Sequence, residues 1–334
     1  MGFKTYYKDI ISGISSILII NKIILIFMNT GKYIVMQNEV NRRKFITNIT
    51  KGVGSAVILS SPLVSFASGF LRTPVTVGEV MDLFKKEVSH EMGTDTVDTL
   101  KAGNRDIVVT GIVTTMFATI EVIRKTIALG ANFIIAHEPT FYNHRDETQW
   151  LENDEVYRYK ADLLKQHNIA VWRNHDYIHS AKLDGVMEGV ADQLEWKKYQ
   201  EENQVIYNLP AITLKAMISH LKSKLHIQTV RYIGNLDQLC KKILLLPGAA
   251  GGTTQIKKIS TMKPDVLVCG EISEWETAEY VRDARAKGQQ LSLVVLGHIA
   301  SEEPGSVFMA QWLKEKFPQI KTSHIPAGNS LSFL

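Results

Sequence analysis

From Thr76 onward the chain alternates short apolar runs with longer stretches of helical periodicity, a rhythm that leaves few folds open. "TVGEVMDLFKKEV" begins with Thr76 and Glu79 at capping-box spacing and carries apolar residues at helical intervals, which predicts a helix. Strand "DIVVTGIV", helix "MFATIEVIRKTIAL" stopped by Gly130, strand "NFIIAH", helix "DEVYRYKADLLKQH", strand "IAVWRNH" and helix "DGVMEGVADQLEW" follow in order. Strands that take turns with helices call for a largely parallel sheet covered on both faces.

A middle section has its own elements: the helix "TLKAMISHLKSKLH" after Pro210, the strands "TVRYIG", "KILLLPG" and "DVLVCGE", and a glycine loop "GAAGG". The closing stretch returns to strand "LSLVVLGH", helix "GSVFMAQWLKEKF" and strand "KTSHIPA". The expected fold class is therefore α/β, with two α/β domains of mainly parallel sheets covered by helices. Residues 68–200 and 290–334 are assigned to the first domain, residues 201–289 to the second, and residues 1–67 to an N-terminal extension.

That extension contains "NRRKFITNITKGVGSAVILSSPLVSFASG": the twin Arg42 and Arg43, then Phe45, a weakly apolar stretch with Gly and Ala, and small residues before a cut after Ala67. This is the three-part pattern of a twin-arginine export signal, so the mature protein is expected in the periplasm. The apolar part is too short and glycine-rich to span a bilayer, and no stable membrane insertion is expected once the signal is removed. The earlier run "ILIINKIILIFM" is interrupted by Asn21 and Lys22, and either Met1 or Met36 is the start.

The net charge is only +4, and Lys and Arg are scattered rather than gathered with aromatics, so a nucleic-acid partner is not expected. Two cysteines, Cys240 and Cys269, are too few for a disulfide framework or a cysteine-type zinc site and read as core residues.

The unusual polar residues stand at three strand ends: His137 and Glu138 after "NFIIA", His175, Asp176 and His179 after "IAVWRN", and His298 with Glu302 after "LSLVVLG". Ligands of open α/β sheets sit at the carboxyl ends of strands, where loops converge. Four of the 10 histidines fall there. Imidazole with carboxylate and no thiolate is the ligand set of divalent Zn, Fe, Mn or Ni. One ion takes about four to six ligands, so these residues suffice for two ions bridged by a carboxylate. Such a pair lowers the pKa of a bridging water and yields a hydroxide nucleophile near neutral pH.

Blander readings apply to the pieces. His298 and Glu302 also fit as flanking residues of a helix opening near Pro304, with Glu302 and Glu303 meeting its dipole. "HEPTF" departs from the metalloprotease motif, since Pro139 blocks the helix and Phe141 fills the later position. "PGAAGGTTQ" lacks the P-loop lysine and reads as a demanding turn rather than a phosphate cradle. His144, His167, His220, His226 and His324 lack such neighbours and read as surface or satisfied histidines.

Four blocks, "NFIIAHEPTFY", "IAVWRNHDYIHS" leading into "DGVMEGVADQL", "GAAGG" with "PDVLVCGEI", and "LGHIASEEPG", resemble the NIF3-like dinuclear metal centre proteins, type-two relatives of GTP cyclohydrolase one. The resemblance spans roughly Thr76 to Leu334 and implies a ring-shaped homohexamer of two-domain α/β subunits, each holding two metal ions. By it, His137 matches the first metal-binding histidine, and His298 and Glu302 match the closing histidine and bridging glutamate. Glu138 stands where the family usually has a second histidine. The family's aspartate ligand aligns with His179, so either His179 replaces it or Asp176 takes over from a shifted loop; His179 is favoured. Trp275 stands where a histidine is common, and Glu271 matches that block's acidic residue.

The expected function is that of a dinuclear-metal-binding protein acting as a metal-dependent hydrolase on an unidentified small-molecule substrate. The alternative is a non-catalytic metal-binding ring. The expected metal ligands are His137, Glu138, Asp176, His179, His298 and Glu302, with His175 or Asp176 as orienting residue or general base.

Overall fold

The computed structural model describes residues 74–88 and 95–334. The export signal expected within residues 1–67 lies outside them. Among the described residues no helix is long and apolar enough to cross a membrane.

Two five-stranded sheets form the frame. The first contains β1 (Leu100–Ala102), β2 (Ile112–Thr115), β3 (Phe133–Ala136), β4 (Ala170–Arg173) and β10 (Thr322–His324), in the order β1-β4-β3-β2-β10. Only the edge strand β1 runs antiparallel to its neighbour. The second contains β5 (Ile206–Thr213), β6 (Arg231–Ile233), β7 (Leu239–Leu246), β8 (Val266–Cys269) and β9 (Ser292–Val295), in the order β5-β7-β8-β9-β6. There the inner three strands are parallel and both edges antiparallel. The mainly parallel α/β character read from the pattern is the observed one.

The strands β2, β3, β4, β8 and β9 are buried at every residue, which is why they read as apolar runs without alternation. Helices α1 (Val77–Lys85), α2 (Ile120–Ala128), α3 (Glu155–Gln166), α4 (Asp176–Ser180), α5 (Gly185–Gln193), α6 (Leu214–Lys224), α7 (Gly252–Met262), α8 (Glu279–Ala286) and α9 (His298–Lys316) connect them. Side chains cap several N-termini: the Thr76 and Glu79 capping box on α1, Thr119 on α2, Asp154 on α3, Asp184 on α5 and Thr213 on α6. One apolar cluster joins Phe133 and Trp172 of the first sheet to Tyr207, Leu245 and Val268 of the second through α1, α5, α6 and α9. Two further clusters cover the outer faces, around Ile134 and Val171 on one sheet and Leu244 and Leu267 on the other. The sheets thus share a core, and a site between them is held by that packing.

Three elements differ from the sequence reading. β9 pairs with β8 and β6 inside the second sheet, so the closing stretch rejoins the first sheet only with α9 and β10 rather than from residue 290. α9 opens at His298 and carries Pro304 in its interior, not at its start. The residue pair Glu302 and Glu303 lies beyond the first turn, which holds no acidic residue, so the dipole role does not apply. Finally, "IYNLPAIT" is strand β5, where the pattern registered only the proline ahead of the next helix.

Candidate metal centre

Backbone bonds carry the first sheet's ladder past its formal strand ends. The amide of His137 donates to Thr115 O (3.1 Å), that of Glu138 to Met116 O (2.9 Å), and that of Asn174 to Ala136 O (2.9 Å). Beyond β4 the chain turns into α4 around the buried Asp98, whose two oxygens accept from the amides of His175 (2.8 Å) and Tyr177 (2.7 Å). Burial raises the Asp98 pKa against the lowering effect of those bonds. From the second sheet, Gly297 with φ 96° turns the chain out of β9 so that His298 is the first residue of α9 and Glu302 lies one turn along.

The side chains from both sheets meet. His137 Nε2 lies 3.4 Å from Glu302 Oε2, and His298 Nε2 lies 2.9 Å from Glu302 Oε2 and 3.1 Å from Glu138 Oε1. The His137 ring stacks on His175 with centroids 4.8 Å apart, and His179 packs edge-on against both at 5.2 and 5.1 Å. His137, Glu138 and Glu302 are buried. Two sets of donor atoms lie within 4.8 Å of one another: His137 with His175 and His179, and His137 with Glu138 and Glu302.

Each imidazole is tethered through Nδ1. His137 Nδ1 faces Asn174 O (3.3 Å), His175 Nδ1 faces Asp176 Oδ1 (3.0 Å), His179 Nδ1 faces Asp184 Oδ2 (2.9 Å), and His298 Nδ1 faces Glu271 Oε1 (3.0 Å). This is the oxygen-to-imidazole arrangement that fixes tautomer and ring orientation in metal sites, and it leaves the four Nε2 atoms as the nitrogens available to an ion, that of His298 already facing Glu138 and Glu302. His137 Nε2 is buried without a hydrogen-bond partner, an arrangement that is uncommon unless a ligand takes the lone pair. The donor set therefore fits divalent ions.

Electrostatics divide the donors. Burial acts to lower the His298 pKa, but the Glu138 and Glu302 carboxylates outweigh it and raise it to about 11. For Glu302 and Glu138 burial acts upward, and the surrounding histidines prevail and lower both. His175 is pushed down to about 4, chiefly by burial and then by the neighbouring His137. The ionised carboxylates and the neutral His175 are in the protonation states that bind metal, whereas an ion must displace the proton of His298 and compete for that of His179, whose pKa, against burial, Asp184 raises.

The residues expected as ligands do not all play that part geometrically. His137, Glu138, His179, His298 and Glu302 converge. Asp176 does not join them, because its oxygens are already engaged: Oδ2 accepts from the Thr96 hydroxyl (2.8 Å) and the Val97 amide (3.0 Å), and Oδ1 holds His175. His175, weighed as an orienting residue, instead stands among the donors. Arg173, fully buried, was missed. Its Nη2 donates to Glu138 Oε2 (3.2 Å), its Nε to His137 O (3.3 Å), and its Nη1 to His144 O. A charged residue inside the apolar run "IAVWRN" was the available signal, since a buried arginine requires partners. His324, read as a surface or satisfied histidine, lies 3.3 Å from Glu303 Oε1.

A cleft of about 1980 Å³ opens beside His298, with Phe117, Glu271, Glu303 and His324 on its walls. "GAAGG" borders the centre as a turn, with Gly248 against Glu302.

The family model Duf34/NIF3 (NGG1p interacting factor 3) matches residues 76–328, most of the chain. The chain belongs to the Duf34/NIF3 family. Among its curated relatives are two proteins named GTP cyclohydrolase 1 type 2 homolog. The one from Clostridium perfringens is 24% identical over 240 residues, covering 69% of this chain and 87% of the relative. The one from Clostridium acetobutylicum is 23% identical over 227 residues, covering 64% and 80%. In fold this NIF3 chain is similar to a Bacillus cereus protein related to NIF3, with a TM-score of 0.64 at 17% identity over 79% of this chain and 100% of that one. A Staphylococcus aureus protein gives a TM-score of 0.62 at 20% identity over 78% and 99%.

Proposed function

We propose that this NIF3-family protein is a metal-dependent hydrolase working with two divalent ions, Zn, Fe, Mn or Ni, on a small molecule bound in the cleft beside His298. The single observation that carries the reading is the tethering of all four imidazoles through Nδ1, which leaves their Nε2 atoms as the ligating nitrogens next to two buried carboxylates. His137, His175, His179, His298, Glu138 and Glu302 would hold the ions. When bound, the ions would supply Lewis acidity that polarises a substrate oxygen and lowers the pKa of a water. The clostridial relatives' name, a cyclohydrolase, falls within hydrolysis.

The chain's own groups divide the remaining work. Asp176, Asp184, Glu271 and the Asn174 carbonyl fix the rings. Glu303 on the cleft wall is pushed up to about 7 by burial, which suits its carboxyl for proton exchange with a bound molecule. Phe117, edge-on to His298 with centroids 6.4 Å apart, adds an apolar surface to the same cleft. We also propose that the protein acts as a ring-shaped hexamer in the periplasm; the twin-arginine pattern and the family resemblance support this. Cell fractionation and light scattering check those two points.

The central test measures metal per chain in protein purified without chelator, then screens phosphoester, cyclic-amide and peptide substrates with and without metal. About two ions per chain are expected, with turnover that chelator and His298→Ala abolish. Protein without bound metal sinks the reading. Two ions without turnover of any substrate class favour the non-catalytic ring.

A further inference from the structure

We infer that the two ion positions of this centre are chemically unlike: a nitrogen-rich position at His137, His175 and His179 that selects Zn²⁺-like ions, and an oxygen-rich position at Glu138, Glu302 and His298 that accepts Mn²⁺. The inference rests on the two-ion reading above.

Three imidazoles converge on the first side and bring no charge of their own when neutral. Imidazole ligation suits Zn, Cu, Fe and Ni. One Nε2 coordinates one ion, so His137 committed to this set leaves the other side to two carboxylates and His298. There, Glu138 Oε1 and Glu302 Oε2 flank His298 Nε2 at 3.1 and 2.9 Å. Carboxylate oxygen suits Mn and Mg, and concentrated negative charge favours hard dications.

Two features keep the sides distinct. Arg173 binds Glu138 through Oε2 (3.2 Å), so Oε1 alone turns to the centre, 3.9 Å from His175 Nε2. Asp176 and Asp184 hold His175 and His179 in the nitrogen set, whereas Glu271 holds His298 in the oxygen set. Glu302 Oε2, at 3.4 Å from His137 Nε2, is the carboxylate oxygen that comes nearest to the nitrogen set.

The test titrates the full metal-free chain with Zn²⁺ and Mn²⁺, reading stoichiometry by elemental analysis, affinity by calorimetry and bound Mn²⁺ by electron paramagnetic resonance. The expected result is one Zn²⁺ held at least about tenfold tighter than a second, with Mn²⁺ replacing only the weaker ion. Glu138→Gln should lose the Mn²⁺ signal and keep the tight Zn²⁺, and His179→Ala should do the reverse. Because the Glu138 variant removes the charge opposite the buried Arg173, a second measurement leaves the chain intact. Wild-type crystals equilibrated with equal Zn²⁺ and Mn²⁺ should show anomalous signal for Zn at the imidazoles and for Mn at the carboxylates. Two ions of equal affinity, or both metals mixed at both positions, overturn the inference while the two-ion centre stands. No ion at either position overturns both.

Discussion

His137 Nε2 and Glu302 Oε2 lie 3.4 Å apart although one side chain ends a strand of the first sheet and the other rides the helix that leaves the second. The contact exists only because the shared core fixes one sheet against the other. On α5 and α9, a side chain at Gly189 would run into Pro304 O, and one at Gly305 into Val186, so these helices pack backbone to backbone between the sheets. Residues far from the centre therefore set its geometry.

Gly248 supplies the closest test of that dependence. It stands at φ 63°, and a Cβ there would run into the Glu302 carboxylate. Gly248→Ala should destabilise the protein by about 1–2 kcal/mol from the left-handed backbone alone. It should also displace Glu302 and reduce metal affinity. Thermal melts with and without metal separate the two effects: a variant that melts lower yet binds metal like the wild type contradicts the proposed position of Glu302.

Asp184 has two tasks that a single substitution can separate. Its Oδ1 caps α5 by accepting from the Val186 and Met187 amides, while its Oδ2 holds His179. Asp184→Asn keeps a capping oxygen but removes the charge that orients the ring. Metal affinity should fall about 10–100-fold with little change in melting temperature. A large drop in melting temperature without weaker binding would assign Asp184 a capping role only.

Much of this was readable from residue order, because buried parallel strands announce themselves as apolar runs and strand ends collect ligands. His137, Glu138, His298 and Glu302 stood out for that reason. What the sequence concealed depends on pairing in three dimensions. "SLVV" looks alike in either sheet, and only its pairing with Val266–Cys269 and Arg231–Ile233 assigns it. Pro304 resembles a first-turn proline, the commonest helical use of that residue, and so hid the true start of α9 at His298. β5 carries Pro210 and exposed residues, as an edge strand can. Residue order left Asp176 open as ligand or orienting residue, because the Thr96 and Val97 contacts that engage it come from a loop distant in sequence.

Arg173 should prove one of the most sensitive residues outside the ligand set. It is fully buried between Glu138 and Asp146, with Nη1 3.8 Å from Asp146 Oδ2. Arg173→Met removes a cation and strands buried carboxylates, a loss of about 3–5 kcal/mol by urea unfolding. A smaller loss would mean that Lys101, 3.3 Å from Asp146, takes over.

Cys240 and Cys269 are core residues as expected, fully buried in β7 and β8. Burial pushes their thiols up to about 11 and about 12. Native protein should leave both unlabelled by a chromogenic disulfide reagent at neutral pH, and both should react in denaturant. Labelling of folded protein would place a thiol at the surface.

His298 makes metal binding a proton-releasing step. In the metal-free protein the Glu138 and Glu302 carboxylates overcome burial and hold its pKa near about 11, above the unfolded value of about 6.5. The stabilisation is then fully present below about pH 6.5 and is lost as pH rises toward 11, so the metal-free chain should unfold at lower urea at pH 10 than at pH 7. On the acid side His175, held near about 4, works the other way: its neutral form loses ground as pH falls below about 6.5. Near pH 7.5 an incoming ion must displace the His298 proton, whereas His175 has none to give. Calorimetry in buffers of different ionisation enthalpy should detect proton release on metal binding, smaller by about one proton per chain in His298→Gln. Release of the same size in that variant would locate the proton elsewhere and remove His298 from the ligand set.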